Sequence, residues 1–164
     1  MEIKTERLLL RRFSDEDLDD FVALHADPEV TRFIRPLDRA EGEERLRKDD
    51  EEWRKRGHGF FAVAAKSSGE FLGRIAIKYW PQFDETELGW TLRRDAWGHG
   101  YATEAGAACR DWALANLDVP YLTAMIVPEN TRSIAVAERL GFSRLREDEL
   151  LGEKVVVYSV RRED

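Results

Sequence analysis

Hydrophobic positions fall into two rhythms along the chain, and the switches between them predict its elements. Arg7 to Arg12 (RLLLRR) is a short Leu-rich run that reads as a first strand. Ser14 follows as a helix N-cap, with Asp15, Glu16 and Asp17 in the first turn, where carboxylates suit the positive end of the helix dipole. Leu18, Phe21, Val22 and His25 continue at helical spacing, and Asp27-Pro28-Glu29 closes that element. Residues 39–56 are almost wholly charged, with Leu46 and Trp53 as the main apolar anchors. Charges of alternating sign predict a solvated helix there, ended by Gly57-His58-Gly59. Phe60 to Ala65 and Leu72 to Trp80 read as two strands of a hairpin, with Ser67-Ser68-Gly69-Glu70 as the turn. From Glu85 to Leu92, Leu88, Trp90 and Leu92 alternate with Glu87, Gly89 and Thr91, which predicts a third strand.

The second half has fewer strands and two helices. Gly98-His99-Gly100 opens a helix whose predicted buried face is Tyr101, Ala105, Ala108, Cys109 and Trp112. Tyr121 to Val127 reads as a strand. Asn130 caps a helix with Ile134, Ala137 and Leu140 on one face and Gly141 at its end. Two final strands are predicted around Ser143 to Arg146 and Lys154 to Val160. The order β-α-α-β-β-β-α-β-α-β-β predicts a mixed α/β (α+β) domain. Its sheet is antiparallel early and carries one βαβ crossover late.

Composition narrows the function classes. A chain of 164 residues fits one domain spanning 1–164, and it can bury roughly 70% of its unfolded surface without a disulfide or metal. At 43% hydrophobic residues, disorder is not expected. The formal net charge of -7 argues against a general nucleic-acid binder and modestly favours cationic partners. The single cysteine, Cys109, builds no disulfide framework or thiolate zinc site, and points to a reducing, cytoplasmic compartment. No apolar run approaches the ~20 residues of a membrane span, and the charged start Met1 to Arg7 does not read as a signal peptide. His25, His58 and His99 show no metal spacing, so no metal is expected.

The candidate chemistry lies in the strand Glu87 to Leu92, the Gly98-His99-Gly100 turn and the helix after it. Glycines let the backbone turn sharply, and a helix start offers unpaired N–H groups that suit a phosphate. Arg93 and Arg94 add positive charge. No Lys follows either glycine, so a Walker A loop fails, and Thr103 breaks the dinucleotide fingerprint. By itself the turn reads equally as an anion site or as a bare tight turn.

Other segments add a resemblance. Trp97-Gly98-His99-Gly100-Tyr101-Ala102-Thr103-Glu104-Ala105 resembles the pyrophosphate loop of the GNAT acetyltransferases, and more narrowly of their RimJ/RimL-type branch, known for acetylating protein N-termini. Thr5 to Arg11, Asp27-Pro28-Glu29-Val30, and Asn130-x-x-Ser133 with Leu140-Gly141-Phe142 resemble that branch too. The likeness runs from about residue 5 to about residue 162. It implies a three-layer GNAT-like fold: a central, mostly antiparallel mixed sheet of about seven strands flanked by about four helices. It also implies acetyl-CoA as co-substrate, and brings the expectation of a homodimer.

By this resemblance the CoA pyrophosphate sits on backbone N–H groups of Gly98, His99, Gly100, Tyr101 and Ala102, with Thr103 beside them. The pantetheine arm runs along Thr91, Leu92 and Arg93 like an added strand. Asn130 bonds the pantetheine amide, and Arg93, Arg94, His99, Arg132 or Arg139 meets the phosphates. Two positions depart from the family. Asp95 stands where a Gln or Arg is common, with Arg94 able to compensate, and Ala137 stands where many members carry the Tyr that protonates the departing thiolate. Ser133 is then the candidate acid. Glu87, directly or through water, is the candidate base, with Glu104 as second choice. Backbone N–H groups around Gly89 to Thr91 are the candidate oxyanion donors. Phe33, Trp53, Tyr79 and Trp80 are candidates for the acceptor cleft, or for plain packing. The expected activity is N-acetylation of a primary amine, a protein N-terminus or a small amine, by direct attack in a ternary complex. A catalytically silent CoA-binding module is the alternative.

Overall fold

The computed structural model describes residues 1–163. Its elements are β1 (Glu2–Lys4), β2 (Leu8–Arg12), α1 (Leu18–Ala26), α2 (Arg39–Arg56), β3 (Phe60–Ala65), β4 (Phe71–Trp80), β5 (Glu85–Leu92), α3 (Tyr101–Asn116), β6 (Tyr121–Ile126), α4 (Thr131–Arg139), β7 (Ser143–Leu150) and β8 (Glu153–Arg161). Eight strands form one sheet in the order β1-β2-β3-β4-β5-β6-β8-β7. Every neighbouring pair is antiparallel except β5 and β6, which α3 connects as a parallel crossover.

Alternate strand residues face opposite ways, and each face has its own cover. Leu8, Leu10, Phe61, Val63, Ile75, Ile77, Leu88 and Leu122 bury against the α3 side. Phe60, Ala62 and Ala76 face the other way, toward Phe21 and Leu24 of α1. A fully buried large apolar side chain stabilises by about 1.5–3 kcal/mol. The α3 stripe is Ala105, Gly106, Cys109, Ala113 and Leu114, with one large side chain among them, so the strands supply most of that stabilisation. Tyr101, Ala108 and Trp112, predicted as buried, flank the stripe half-exposed.

The charged segment folds as predicted. Asp38 accepts from the Glu41 N–H at 2.8 Å at the start of α2, and Gly57 ends it with φ 74°. Its outer face carries Arg47–Glu51, Arg54–Asp50 and Arg56–Glu52 pairs one turn apart. Exposed pairs of this kind contribute about 0.3–0.5 kcal/mol each. Its inner face holds a surprise. Asp49 is buried and accepts the Phe60 N–H at 2.7 Å. Trp53 is likewise buried, with its ring centroid 5.1 Å from Phe61 and 6.2 Å from Trp112. It is a core residue and no part of an acceptor cleft.

The strand count exceeds the expected seven because β1 pairs with β2 through Ile3 and Leu10. β7 runs to Leu150, past the predicted Arg146, because Glu147, Asp148 and Glu149 pair with β8 at the solvated outer edge of the sheet. Among the described residues, no helix is long and apolar enough to cross a membrane.

Candidate active site

The site begins where two strands part. β5 and β6 share register at only two positions, Thr86 with Leu122 and Glu87 with Thr123. At the paired end, Glu85 fastens three strands together. It accepts from Arg146 of β7 at 2.6 and 2.8 Å, and from the Tyr121 hydroxyl of β6 at 2.7 Å. Two residues on, Glu87 leans into the opening and accepts the Met125 N–H of β6 at 2.8 Å. Its other oxygen accepts from Trp80 Nε1 at 2.9 Å. Burial lifts the Glu87 carboxyl above its ordinary range, and these two donors with the Lys78 and Arg74 charges oppose that rise without cancelling it.

Beyond Glu87 lies a cleft of about 800 Å³. One wall is the end of β5, with Trp90, Thr91 and Leu92. Another is the Gly98 to Thr103 loop and helix start, and a third is the first turn of α4. The segment between α1 and α2 contributes Val30, Phe33 and Ile34. Gly98 and Gly100 both have φ +79°, a conformation that costs other residues about 1–2 kcal/mol. Gly100 stands at the α3 N-cap without a side chain, so the first-turn N–H groups at Tyr101, Ala102 and Thr103 carry no side-chain cap. That end is the positive pole of a 16-residue helix.

Charge in the cleft opposes the charge of the chain. Arg32, Arg94, Arg132 and Arg139 line it, against a single acid, Glu29. Trp97 orients two of them, with the Arg132 guanidinium 3.9 Å and the Arg94 guanidinium 4.8 Å from its ring centroid. Trp97 is itself held by donating Nε1 to the Leu92 carbonyl at 3.0 Å. Glycine turn, open helix start and convergent arginines together suit an elongated polyanion.

Residues 7–143 match the family model described as an acetyltransferase (GNAT) domain. The chain belongs to this family. It is 30% identical to the uncharacterized N-acetyltransferase p20 of Bacillus licheniformis, over 85% of this chain and 81% of that protein. The crystal structure of the acetyltransferase from Agrobacterium tumefaciens superposes with a TM-score of 0.89 at 33% identity, covering 99% of this chain and 95% of the other. RimL, a ribosomal L7/L12 α-N-protein acetyltransferase solved with coenzyme A, shares the fold at a TM-score of 0.83 and 15% identity, with 98% of each chain covered.

Within this GNAT frame the predicted residues separate cleanly. Thr91, Leu92, Arg94, Gly98, Gly100, Tyr101, Ala102, Thr103, Asn130, Ser133 and Arg139 line the cleft. Arg93 and His99 do not. The Arg93 side chain turns to Asp95 (2.7 Å), Glu70 (3.2 Å) and the Phe71 carbonyl (3.0 Å). His99 is exposed at the loop tip, its ring 5.6 Å from that of Tyr101. Asp95 faces Arg93, so Arg94 is the charge this turn presents to the cleft. Asn130 caps α4 by accepting the Ser133 N–H at 3.3 Å, and Ser133 sits half-buried in the first turn.

Other candidates have structural duties. Glu104 accepts from Thr5 Oγ1 (2.5 Å), the Arg7 N–H (2.9 Å) and Arg7 Nε (2.7 Å), pinning the β1–β2 connection to α3. Burial raises its pKa, but these donors outweigh that and hold it below the usual range, which suits a clasp and not a base. Ala137 is fully buried in the core. Cys109 is buried too, and burial pushes its thiol up, away from nucleophilic use. The lining that sequence reasoning missed is Arg32, Val30, Ile34 and the packing role of Trp97. Val30 belongs to the Asp27-Pro28-Glu29-Val30 run that carries the family resemblance, which was the available signal, while Arg32 and Ile34 follow it in a segment without helical or strand rhythm.

Proposed function

We propose that the chain is an acetyl-CoA-dependent N-acetyltransferase that acetylates a primary amine by direct attack in a ternary complex. The observation that carries this reading is the parting of β5 from β6 just beyond Glu87, opening onto a cleft lined by four arginines. Acetyl-CoA, when bound, supplies a thioester acetyl group. Arg32, Arg94, Arg132 and Arg139 then neutralise its phosphates, and the N–H groups of Gly98 to Ala102 donate to the pyrophosphate. The Thr91–Leu92 edge of β5 supports the pantetheine arm, with Asn130 as a partner for its amide.

Residues of this chain also manage the protons. An attacking amine must first be neutral. Glu87, with its raised pKa, takes that proton directly or through one water. The Gly89 and Thr91 N–H groups face β4, so the Trp90 N–H, turned to the open β6 side, polarises the thioester carbonyl. Ser133 Oγ donates to the departing thiolate, the role Ala137 cannot fill. The resemblance to the RimJ/RimL-type branch and the name of the p20 relative support an amine acceptor.

Glu87→Gln tests the reading. The amide keeps an oxygen for the Met125 N–H, so acetyl-CoA affinity stays within about twofold while kcat falls roughly 10²–10⁴-fold. Rescue of the rate at higher pH, where the free amine needs no base, supports the role. An unchanged kcat removes Glu87 from it.

A further inference from the structure

A second feature lies on the sheet face toward α1 and α2, beside the cleft. β4 sets Arg74, Ala76 and Lys78 on that face, in register with Thr91, Gly89 and Glu87 of β5. Ala76 is buried against Phe21 and Phe60 and closes one side, while Gly89 beside it is open, and a Cβ built there meets nothing within 4 Å. The trough therefore runs from Glu87 to Thr91, and Thr91 also lines the cleft.

The trough is cationic. Arg74 donates from Nε to His25 Nε2 at 3.2 Å. His25 Nε2 is thus an acceptor, so the ring proton sits on Nδ1 and donates to the Phe21 carbonyl at 2.9 Å. His25 is therefore neutral and supplies no countercharge to Arg74, whose charge Glu87 and Asp49 offset only in part. Lys78 rests its ammonium 4.0 Å from the Trp80 ring centroid. Arg45 stands half-buried on the side of α2 that buries Gly42, Asp49 and Trp53, and its charge acts on both Arg74 and Lys78. None of these three cations forms an ion pair among the described residues, although Arg47, Arg54 and Arg56 on the same helix all do.

Nearby carboxylates are already committed. Glu87 accepts from Trp80 and Met125, Glu52 pairs with Arg56 at 2.7 Å, and Asp49 accepts the Phe60 N–H. Half-buried cations without ion-pair partners are costly, and burial pushes Lys78 down to about 8 and Arg74 to about 10. An anion entering the trough relieves that cost.

We infer that the acceptor is an amine carrying a carboxylate, which seats on Arg45, Arg74 and Lys78 and holds the amine over Gly89 beside Glu87. This rests on the acetyltransferase reading and names the substrate class of the same site. It reverses the cationic acceptor suggested by the net charge of -7, because local field and not total charge governs a cleft. The carboxylate comes either from a free amino acid or from an acidic residue near a peptide N-terminus.

The test uses matched acceptors that differ only in that charge. Free amino acids are compared with their carboxamides, and peptides beginning Ser-Glu-Glu with peptides beginning Ser-Gln-Gln, with thiol release as readout. The acid of at least one pair is preferred by about tenfold or more in kcat/KM, as expected for a charge-assisted contact. Preference in the first pair assigns a free amino acid, in the second a peptide terminus. Lys78→Met and Arg45→Gln bring the ratio toward one while leaving CoA affinity intact. Thermal stability of the CoA-saturated protein with N-acetylated acids, against N-acetylated amides, gives a reading without turnover. If no amine is acetylated but the acids alone stabilise, in a Lys78-dependent manner, the transfer reading fails and the anion seat stands. Equal use of acids and amides, ratios unchanged in both variants, or no acid-specific stabilisation together with no turnover overturns the inference.

Discussion

Asp49→Asn is the substitution whose effect follows most directly from the geometry. Asp49 is 7% exposed, sits on the inner face of α2, and accepts one hydrogen bond from the Phe60 N–H. Burial raises its carboxyl from 3.8 to about 7, while the Phe60 bond and the Arg12 charge hold it back only in part. The fold therefore binds a proton there that the unfolded chain releases. This contribution to stability is fully present below pH 3.8 and is lost as pH rises to about 7. Linkage at about 1.4 kcal/mol per pH unit makes the loss between pH 5 and pH 7.5 on the order of 2 kcal/mol. Asparagine keeps the oxygen that meets Phe60 and cannot ionise. Urea unfolding of both proteins at those two pH values isolates the effect, because every other titrating group is shared. The two are of similar stability at pH 5, and the variant is more stable by that amount at pH 7.5, worth roughly 4–8 °C in Tm. Parallel stability profiles for the two proteins refute the reasoning.

Other outcomes can be measured on the same material. Arg132→Ala and Arg139→Ala each raise KM for acetyl-CoA roughly three- to tenfold and leave kcat unchanged, and added salt shrinks the difference. Ser133→Ala lowers kcat about tenfold with good acceptors, and an unaltered rate assigns Ser133 to the helix turn alone. Glu85→Gln removes the Arg146 clamp and destabilises by on the order of 2–4 kcal/mol in urea unfolding. The Arg146 hydrogen bonds outweigh burial and hold the Glu85 carboxyl below its usual 4.5. Its contribution is therefore present above pH 4.5 and fades as pH falls through the lowered value, so the variant also loses part of the acid-induced fall in stability.

What could be read from the sequence divides along physical lines. β3 and β4 were legible as apolar runs because both of their faces meet a core, and β5 because Leu88, Trp90 and Leu92 alternate with polar or small residues. β1 and the outer half of β7 were not, because the outermost strands are solvated and Glu147 to Glu149 carry no apolar side chain to reveal a period. The glycine turn was legible, since Gly98 and Gly100 need positive φ. The fate of Arg93 was not: its neighbours Glu70 and Phe71 lie more than twenty positions away and draw the side chain off the cleft. The trough was equally hidden. Arg74, Lys78 and Glu87 share a face only through the β4–β5 register, and His25 joins them from a different layer.

The central claim is that the cleft beyond Glu87 binds acetyl-CoA and passes its acetyl group to an amine. The most direct measurement is release of free CoA thiol from acetyl-CoA, with and without a panel of amino acids, N-terminal peptides and small amines, with mass spectrometry of the acceptor. Thiol release that depends on an amine, and a matching acetyl adduct on that amine, are expected, both lost in Glu87→Gln. Tight acetyl-CoA binding with no acetylated product across the panel would make the chain a silent CoA-binding protein, and no binding at all would contradict the assignment of the cleft.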